Sequence, residues 1–157
     1  MILIALGTQD KQFYRLPKIV DNAIEKGIVK DEVILQSGST KFESSNMKVC
    51  KYIPSDELDK LVDKADLIIC HGGVGIITKA IKKGKKVFSM ARLEEFNEHR
   101  NDHQIQLVEK FASLGYIKQI STYDDFVKEY KNIQKFKPKK PNFDNTKILN
   151  LIKDFIG

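Results

Sequence analysis

The chain has 157 residues, 41% hydrophobic and 31% charged, with a formal net charge of +6. That length suits one ordinary soluble domain with one core. No apolar run reaches the ~20 residues of a membrane span, and the basic balance favours anionic ligands such as nucleotide phosphates, nucleic acid or an acidic membrane face.

Ile2 to Leu6 is a continuous apolar run closed by "GTQD", the pattern of a buried strand and a turn. It follows no basic leader and no small-residue cleavage site, so a cytoplasmic location is expected. Leu16, Ile19, Val20, Ala23 and Ile24 have helical spacing, with Gly27 as the stop. Glu32–Gln36 reads as the second strand, Ser37–Asn46 as a polar loop and Lys48–Ile53 as the third strand. Ser55 is expected to cap a helix whose apolar face is Leu58, Leu61 and Val62. Asp66–Cys70 is a fourth strand, Val74–Lys83 a helix ended by Gly84, and Lys86–Met90 a fifth strand. A polar loop from Ala91 leads to helical spacing at Ile105, Leu107, Val108, Phe111, Ala112 and Leu114, stopped by Gly115. Tyr116–Ile120 is a sixth strand and Thr122–Tyr130 a short helix.

The domain boundaries drawn from this pattern are residues 1–131 for the α/β domain, 132–143 for a basic linker and 144–157 for a terminal amphipathic helix packing on the domain. Lys131, Lys135, Lys137, Lys139 and Lys140 around Pro138 and Pro141 read as a solvated linker or as a contact with anionic lipid. Cys50 and Cys70 sit in apolar runs without metal spacing and read as reduced core thiols. Alternating strands and helices predict an α/β fold, an open parallel sheet of about six strands with helices on both faces. Ligands of such sheets lie outside the carboxyl ends of the strands. The informative loops are therefore "GTQD", "HGGVG" and "ARLEEFNEHRNDHQ".

Gly72, Gly73 and Gly75 allow a sharp turn and close approach of a ligand to the backbone. The helix that follows offers free N–H groups and its positive dipole end, which suits a phosphate or diphosphate, and His71 can donate to the same anion. A tight turn with packing glycines is the plainer alternative. As a dinucleotide fingerprint the turn is incomplete: Thr78 stands at the third glycine position, although Glu94 and Glu95 lie near the distance of a ribose acid. The P-loop pattern is absent. The second cluster, "FNEHRNDHQ", gathers Glu98, His99, Asn101, Asp102, His103 and Gln104 at a loop-to-helix junction. Carboxylates and amides at that density suit a sugar, while Asn101 or Asp102 also reads as a helix N-cap.

Together, "MILIALGTQDKQFYRL", "ADLIICHGGVGII" and "GKKVFSMARLEEFNEHRNDHQ" resemble the small split glycosyltransferase subunits of the Alg13, PssE and EpsF kind over roughly residues 1–120. These are similar to the C-terminal, nucleotide-sugar-binding half of MurG-like family 28 transferases. The resemblance implies a Rossmann-like domain, the C-terminal half of a GT-B fold. It implies a UDP-sugar donor, no metal and no other cofactor. It also implies a separate membrane-anchored, acceptor-binding partner of the Alg14 or PssD kind, which would hold the chain peripherally at the inner face of the membrane. The pair would transfer a hexose or N-acetylhexosamine, with inversion, to a lipid-linked diphosphate acceptor in exopolysaccharide or capsule synthesis. By position, Gly7, Thr8 and Gln9 would line the phosphate end of the cleft, and His71, Gly72, Gly73 and Gly75 would hold the diphosphate. Asn101, Asp102, His103 and Gln104 would meet the sugar, with Glu98 and His99 as second choices. His71 and Asp102 are the catalytic candidates; no general base is assigned on this chain. Relatives often carry a ribose-holding Glu in the helix after the turn, whereas here Ile76 stands at the small hydroxyl position and Lys79 at the Glu position. That departure keeps open a nucleotide-binding subunit that supports a partner without catalysing transfer. An NAD-dependent enzyme is the third reading. A homodimer is compatible with the sequence, and a nucleic-acid partner is not expected.

Overall fold

A computed structural model describes residues 1–142, 149–150 and 152–153. Its elements run β1 (Ile2–Ala5), α1 (Arg15–Glu25), β2 (Val33–Gln36), β3 (Lys48–Cys50), α2 (Ser55–Lys64), β4 (Leu67–His71), α3 (Val74–Lys82), β5 (Val87–Met90), α4 (His103–Ser113), β6 (Lys118–Gln119) and α5 (Tyr123–Lys131). Every residue of β1, β2, β4 and β5 is buried. Such runs cannot be half-solvated strands; they need cover on both faces, which is what parallel sheets have. The sheet order is β3-β2-β1-β4-β5-β6, and every pairing is parallel.

Alternate residues of β1 enter different cores. Ile2, Ile4 and Leu6 pack with Leu16, Val20 and Ala23 of α1 and Phe126 of α5. Leu3 and Ala5 pack with Val62 of α2, Ile77 and Ala80 of α3, and Val108 and Phe111 of α4. Among the described residues, α1 and α5 thus cover one face, and α2, α3 and α4 cover the other, where Ile152 also packs. Pro17 sits in the first turn of α1, where a missing N–H costs nothing. Thr122 and Asp125 form a reciprocal capping box at the start of α5.

Several boundaries differ from the sequence reading. Pro54 occupies the N-cap of α2, and Ser55 is its first helical residue without a side-chain cap bond. The edge strands β3 and β6 are shorter than their apolar runs, since an edge pairs on one side only. Cys70 is buried and Cys50 only partly so. The basic segment is no free linker: Phe136 is buried, and the Lys139 N–H donates to Gly115 O at 3.0 Å. The terminal helix expected over 144–157 falls largely outside the described residues. Among the described residues, no helix is long and apolar enough to cross a membrane.

The strand order reverses direction between β1 and β4, which leaves a crevice at their carboxyl ends. Arg92, just past β5, braces the loops around it. Its side chain is 1% exposed. Nη2 donates to Leu6 O at 2.5 Å, and Nη1 to Lys11 O at 2.8 Å and Glu98 O at 3.0 Å. The guanidinium lies 4.9 Å from the Phe13 ring centroid. Burial lowers its pKa to about 10, opposed by Glu98 and Asp10, so it stays cationic at neutral pH. Beside it, Arg15 grips the Glu98 carboxylate through two bonds of 2.8 and 2.7 Å. Arg92→Met would strip three carbonyls of their donor and is expected to cost about 3 kcal/mol, at ~1 kcal/mol or more for each buried group left unpaired. Arg100→Ala, at an exposed position, should stay within about 0.5 kcal/mol of the parent. Urea midpoints for the two variants check this.

Candidate functional site

The crevice is a cleft of ≈ 630 Å³. Gly7, Thr8 and Gln9 from the end of β1 line it, together with His71, Gly72, Gly73 and Gly75 from the β4–α3 turn. His99, Asn101, His103 and Gln104 line it from the opposite wall. The fold thus gathers three sequence segments that lie far apart in the chain.

The glycines divide by task. A Cβ on Gly7 would stand 2.5 Å from His71 Nε2, and one on Gly73 would collide with the same ring. These two glycines leave room for an imidazole between two backbones. A Cβ on Gly72 would press on Gln104 and Val108 of α4. Gly75 alone of the turn glycines meets nothing within 4 Å, so its missing side chain opens space toward the cleft. The packing reading therefore holds for Gly72 and Gly73, and the ligand-approach reading is left to Gly75. Helix α3 has no side-chain cap, which leaves its first-turn N–H groups and positive dipole end for whatever occupies the cleft.

His71 ends β4 and is buried. Gln104 Oε1 accepts the N–H groups of Gly72 and Arg92, both at 3.0 Å. The nitrogen of that amide is then the atom facing His71 Nδ1, at 3.2 Å. Burial first, and the Arg92 charge second, lower the His71 pKa to about 3. At neutral pH it is a neutral N–H donor, not a cation.

On the opposite wall His99 Nδ1 accepts the Asn101 N–H at 3.3 Å, and Nε2 lies 2.8 Å from the Gln9 amide. This bond closes the cleft between the β1 loop and the β5 loop. Asn101 Oδ1 accepts the His103 N–H at 3.0 Å and so satisfies the first turn of α4. Asp102 holds the N-cap position without a side-chain cap bond, and its Oδ1 accepts the Glu94 N–H at 2.9 Å. Neither Asp102 nor Glu98 lines the cleft. Glu98 is 3% exposed and is taken up by Arg15 and by the Leu93 N–H. Their expected place beside a sugar is corrected accordingly: both carboxylates brace the loop. Lys79 faces neither phosphate nor bulk water alone; its Nζ pairs with Asp59 of α2 at 2.6 Å.

Arg92, Gln36 and Leu58 are among the residues that sequence reasoning missed. Arg92 carried no signal, because a lone arginine in a polar loop ordinarily reads as solvated. Gln36 ends a strand and looks like a surface residue, yet it is buried, lines the cleft and accepts the Ile53 N–H at 2.8 Å. Leu58 also lines the cleft, although the α2 pattern marked it only as core.

Since the native pKa of His71 lies below the ordinary value of about 6.5, the unfolded chain binds more protons between those two values. Stability therefore falls as pH drops below about 6.5. Between pH 6 and 5 the parent should lose about 1 kcal/mol more than His71→Asn, read from urea unfolding at the two pH values.

The chain matches the model of the glycosyltransferase family 28 C-terminal domain over residues 1–155. It is 24% identical over 91 residues to the UDP-N-acetylglucosamine transferase subunit ALG13 of Candida albicans, a match that spans 55% of this chain and 30% of that protein. The solution structure of ALG13 superposes with a TM-score of 0.57 at 16% identity, covering 99% of this chain and 96% of that one. MurG of Acinetobacter baumannii superposes at 0.59 and 19% identity, over 85% of this chain and 40% of that one. The glycotransferase of kitacinnamycin reaches 0.64 at 16% identity, over 98% of this chain and 37% of that one. The chain thus spans about a third of the curated relative and of several transferase chains whose fold it shares, and its sheet is that of a GT-B transferase half. It belongs to the glycosyltransferase family 28 C-terminal domain family.

Proposed function

We propose that the chain is the UDP-sugar-binding subunit of a two-component inverting glycosyltransferase. A second, membrane-anchored chain of the Alg14 or PssD kind supplies the acceptor half and keeps this one peripheral to the membrane. The acceptor is a lipid-linked diphosphate sugar of surface polysaccharide synthesis, and the sugar passed is a hexose or N-acetylhexosamine. The observation that carries the reading is the β4–α3 turn: an uncapped helix N-terminus, a neutral imidazole N–H and the open face of Gly75 converge on one cleft. Family membership and the likeness to the ALG13 subunit support it.

In this reading the donor diphosphate rests against the first turn of α3 and the Nε2–H of His71. The acceptor hydroxyl attacks the anomeric carbon, and the bond from that carbon to the phosphate oxygen breaks with its electron pair on UDP. The hydroxyl proton passes to a base on the partner. Charge grows on the leaving diphosphate, where fixed N–H dipoles are most effective. His71 serves as a donor there; its depressed pKa suits neither a base nor a cationic clamp. Asn101 and His103 face the sugar end.

A second reading is a nucleotide-binding subunit that supports transfer by its partner. The Lys79–Asp59 pair favours it, since it sets a cation where relatives carry an acid.

Calorimetric titration with UDP, ADP and NAD tests the proposal. UDP binding is expected, and NAD binding without UDP would overturn it. Gly75→Ala should keep or raise thermal stability, because an alanine in a helix gains roughly 0.5–1 kcal/mol over glycine. It should also weaken UDP about tenfold by filling the ligand's side of the turn. Gly73→Ala should lower stability by displacing His71.

A further inference from the structure

Gln104 is expected from sequence to touch a sugar, yet its amide is already spent inside the protein. Both lone pairs of Oε1 are occupied, one by the Gly72 N–H and one by the Arg92 N–H, each at 3.0 Å. Those two donors come from different loops, after β4 and after β5. They allow one orientation of the amide only, with nitrogen toward His71. Gln104 is 7% exposed, so water does not compete for these bonds.

We propose that Gln104 is a positioning residue whose amide holds His71 as the neutral tautomer with its proton on Nε2, the nitrogen set between Gly7 and Gly73 at the cleft. A neutral imidazole has two tautomers, and only this one offers a donor to an anion in the cleft. The alternative would present a lone pair there and repel it. Helix α4 places the amide through its first turn, and Val108 one turn further on packs against Gly72. The helix, the glycine turn and the β5 loop are thus registered on one side chain. The charged and titratable groups that bear on the ring are Arg92 and His99, and both disfavour a second proton. Among the described residues, no carboxylate supplies the opposite pull on the ring. The role of the donor in binding rests on the nucleotide reading above; the tautomer does not.

Ring nitrogen shifts of His71, assigned by their loss in His71→Asn, test the proposal in the free protein. The parent should show Nε2 protonated, Nδ1 bare, and no titration from pH 8 to pH 5. A parent ring protonated on Nδ1 overturns the proposal. In Gln104→Glu a carboxylate oxygen faces Nδ1 and can only accept, so Nδ1 should gain a proton and the ring should titrate within that range. Unchanged His71 shifts in a folded Gln104→Glu protein overturn the proposal as well. Should that variant fail to fold, the tautomer of the parent still decides.

Titration with UDP, which lacks the sugar, separates positioning from sugar contact. Positioning predicts that Gln104→Glu weakens UDP about tenfold at pH 8 and makes its binding pH-dependent. Unaltered UDP affinity with a loss confined to UDP-sugars would assign Gln104 to the sugar instead. If UDP does not bind the parent, the nucleotide reading fails while the ring shifts still report on Gln104.

Discussion

A single buried guanidinium holds the cleft in shape. Arg92 donates to carbonyls of the β1 loop and of the β5 loop at once, and those loops form the two walls. The sheet alone cannot fix them. Registered strand pairing ends at Ala5 and Met90, and past Leu6, whose N–H still donates to Gln36 O at 3.1 Å, the β1 loop leaves the sheet. A buried cation lined by carbonyl oxygens is a workable substitute, because each oxygen would otherwise be desolvated without a donor. Glu98 adds the counter-charge, and Arg15 ties that carboxylate to the start of α1. The charges lie behind the cleft rather than in it.

The same economy explains the glycine turn. In the sequence the glycines look like a cradle for a phosphate. In the fold Gly7 and Gly73 first make room for the His71 ring, and Gly72 lets α4 approach β4. The anion-binding role proposed for the turn rests on what this packing fixes: a ring held against the Gln104 amide and a helix whose first N–H groups have no side-chain cap. The turn is a support for a donor more than a cradle itself.

The fold was legible in the sequence because its central strands are short continuous apolar runs, and burial on both faces leaves such runs few alternatives. The helices declared themselves by spacing, and α1, α3 and α4 also by Gly27, Gly84 and Gly115 that stop them. The cleft was legible too, since strand ends and glycine turns mark it by position. What escaped was the partner of each polar side chain. Nothing local says that Glu98 belongs to Arg15, 83 positions away, or that Asp102 turns back to Glu94. A dense polar cluster such as "NEHRNDHQ" can solvate, bind a ligand or brace a loop. Here it divides, with His99, Asn101 and His103 reaching the cleft and Glu98 and Asp102 bracing the loop. Lys79 shows the same limit, because its partner Asp59 lies on another helix.

The net charge of +6 suggests a cationic anion site, and the cleft is built otherwise. Among the described residues its lining contains no lysine, arginine or carboxylate. Its positive character comes from backbone N–H groups, from a neutral imidazole and from the field of Arg92 behind them. Lysines concentrate at the opposite edge of the sheet, where Lys82, Lys83 and Lys85 meet Lys139 and Lys140. For the diphosphate ligand proposed above, this division has a kinetic sense. A cation in the cleft would hold the departing diphosphate most tightly in the product, where its charge is greatest. Oriented dipoles need no reorganisation as charge grows on the leaving group. They also leave the product without a salt bridge to break. The same design makes the site sensitive to geometry, because a dipole misaimed loses most of its effect. Arg92, Gln104 and the two packing glycines therefore bear on function by fixing direction.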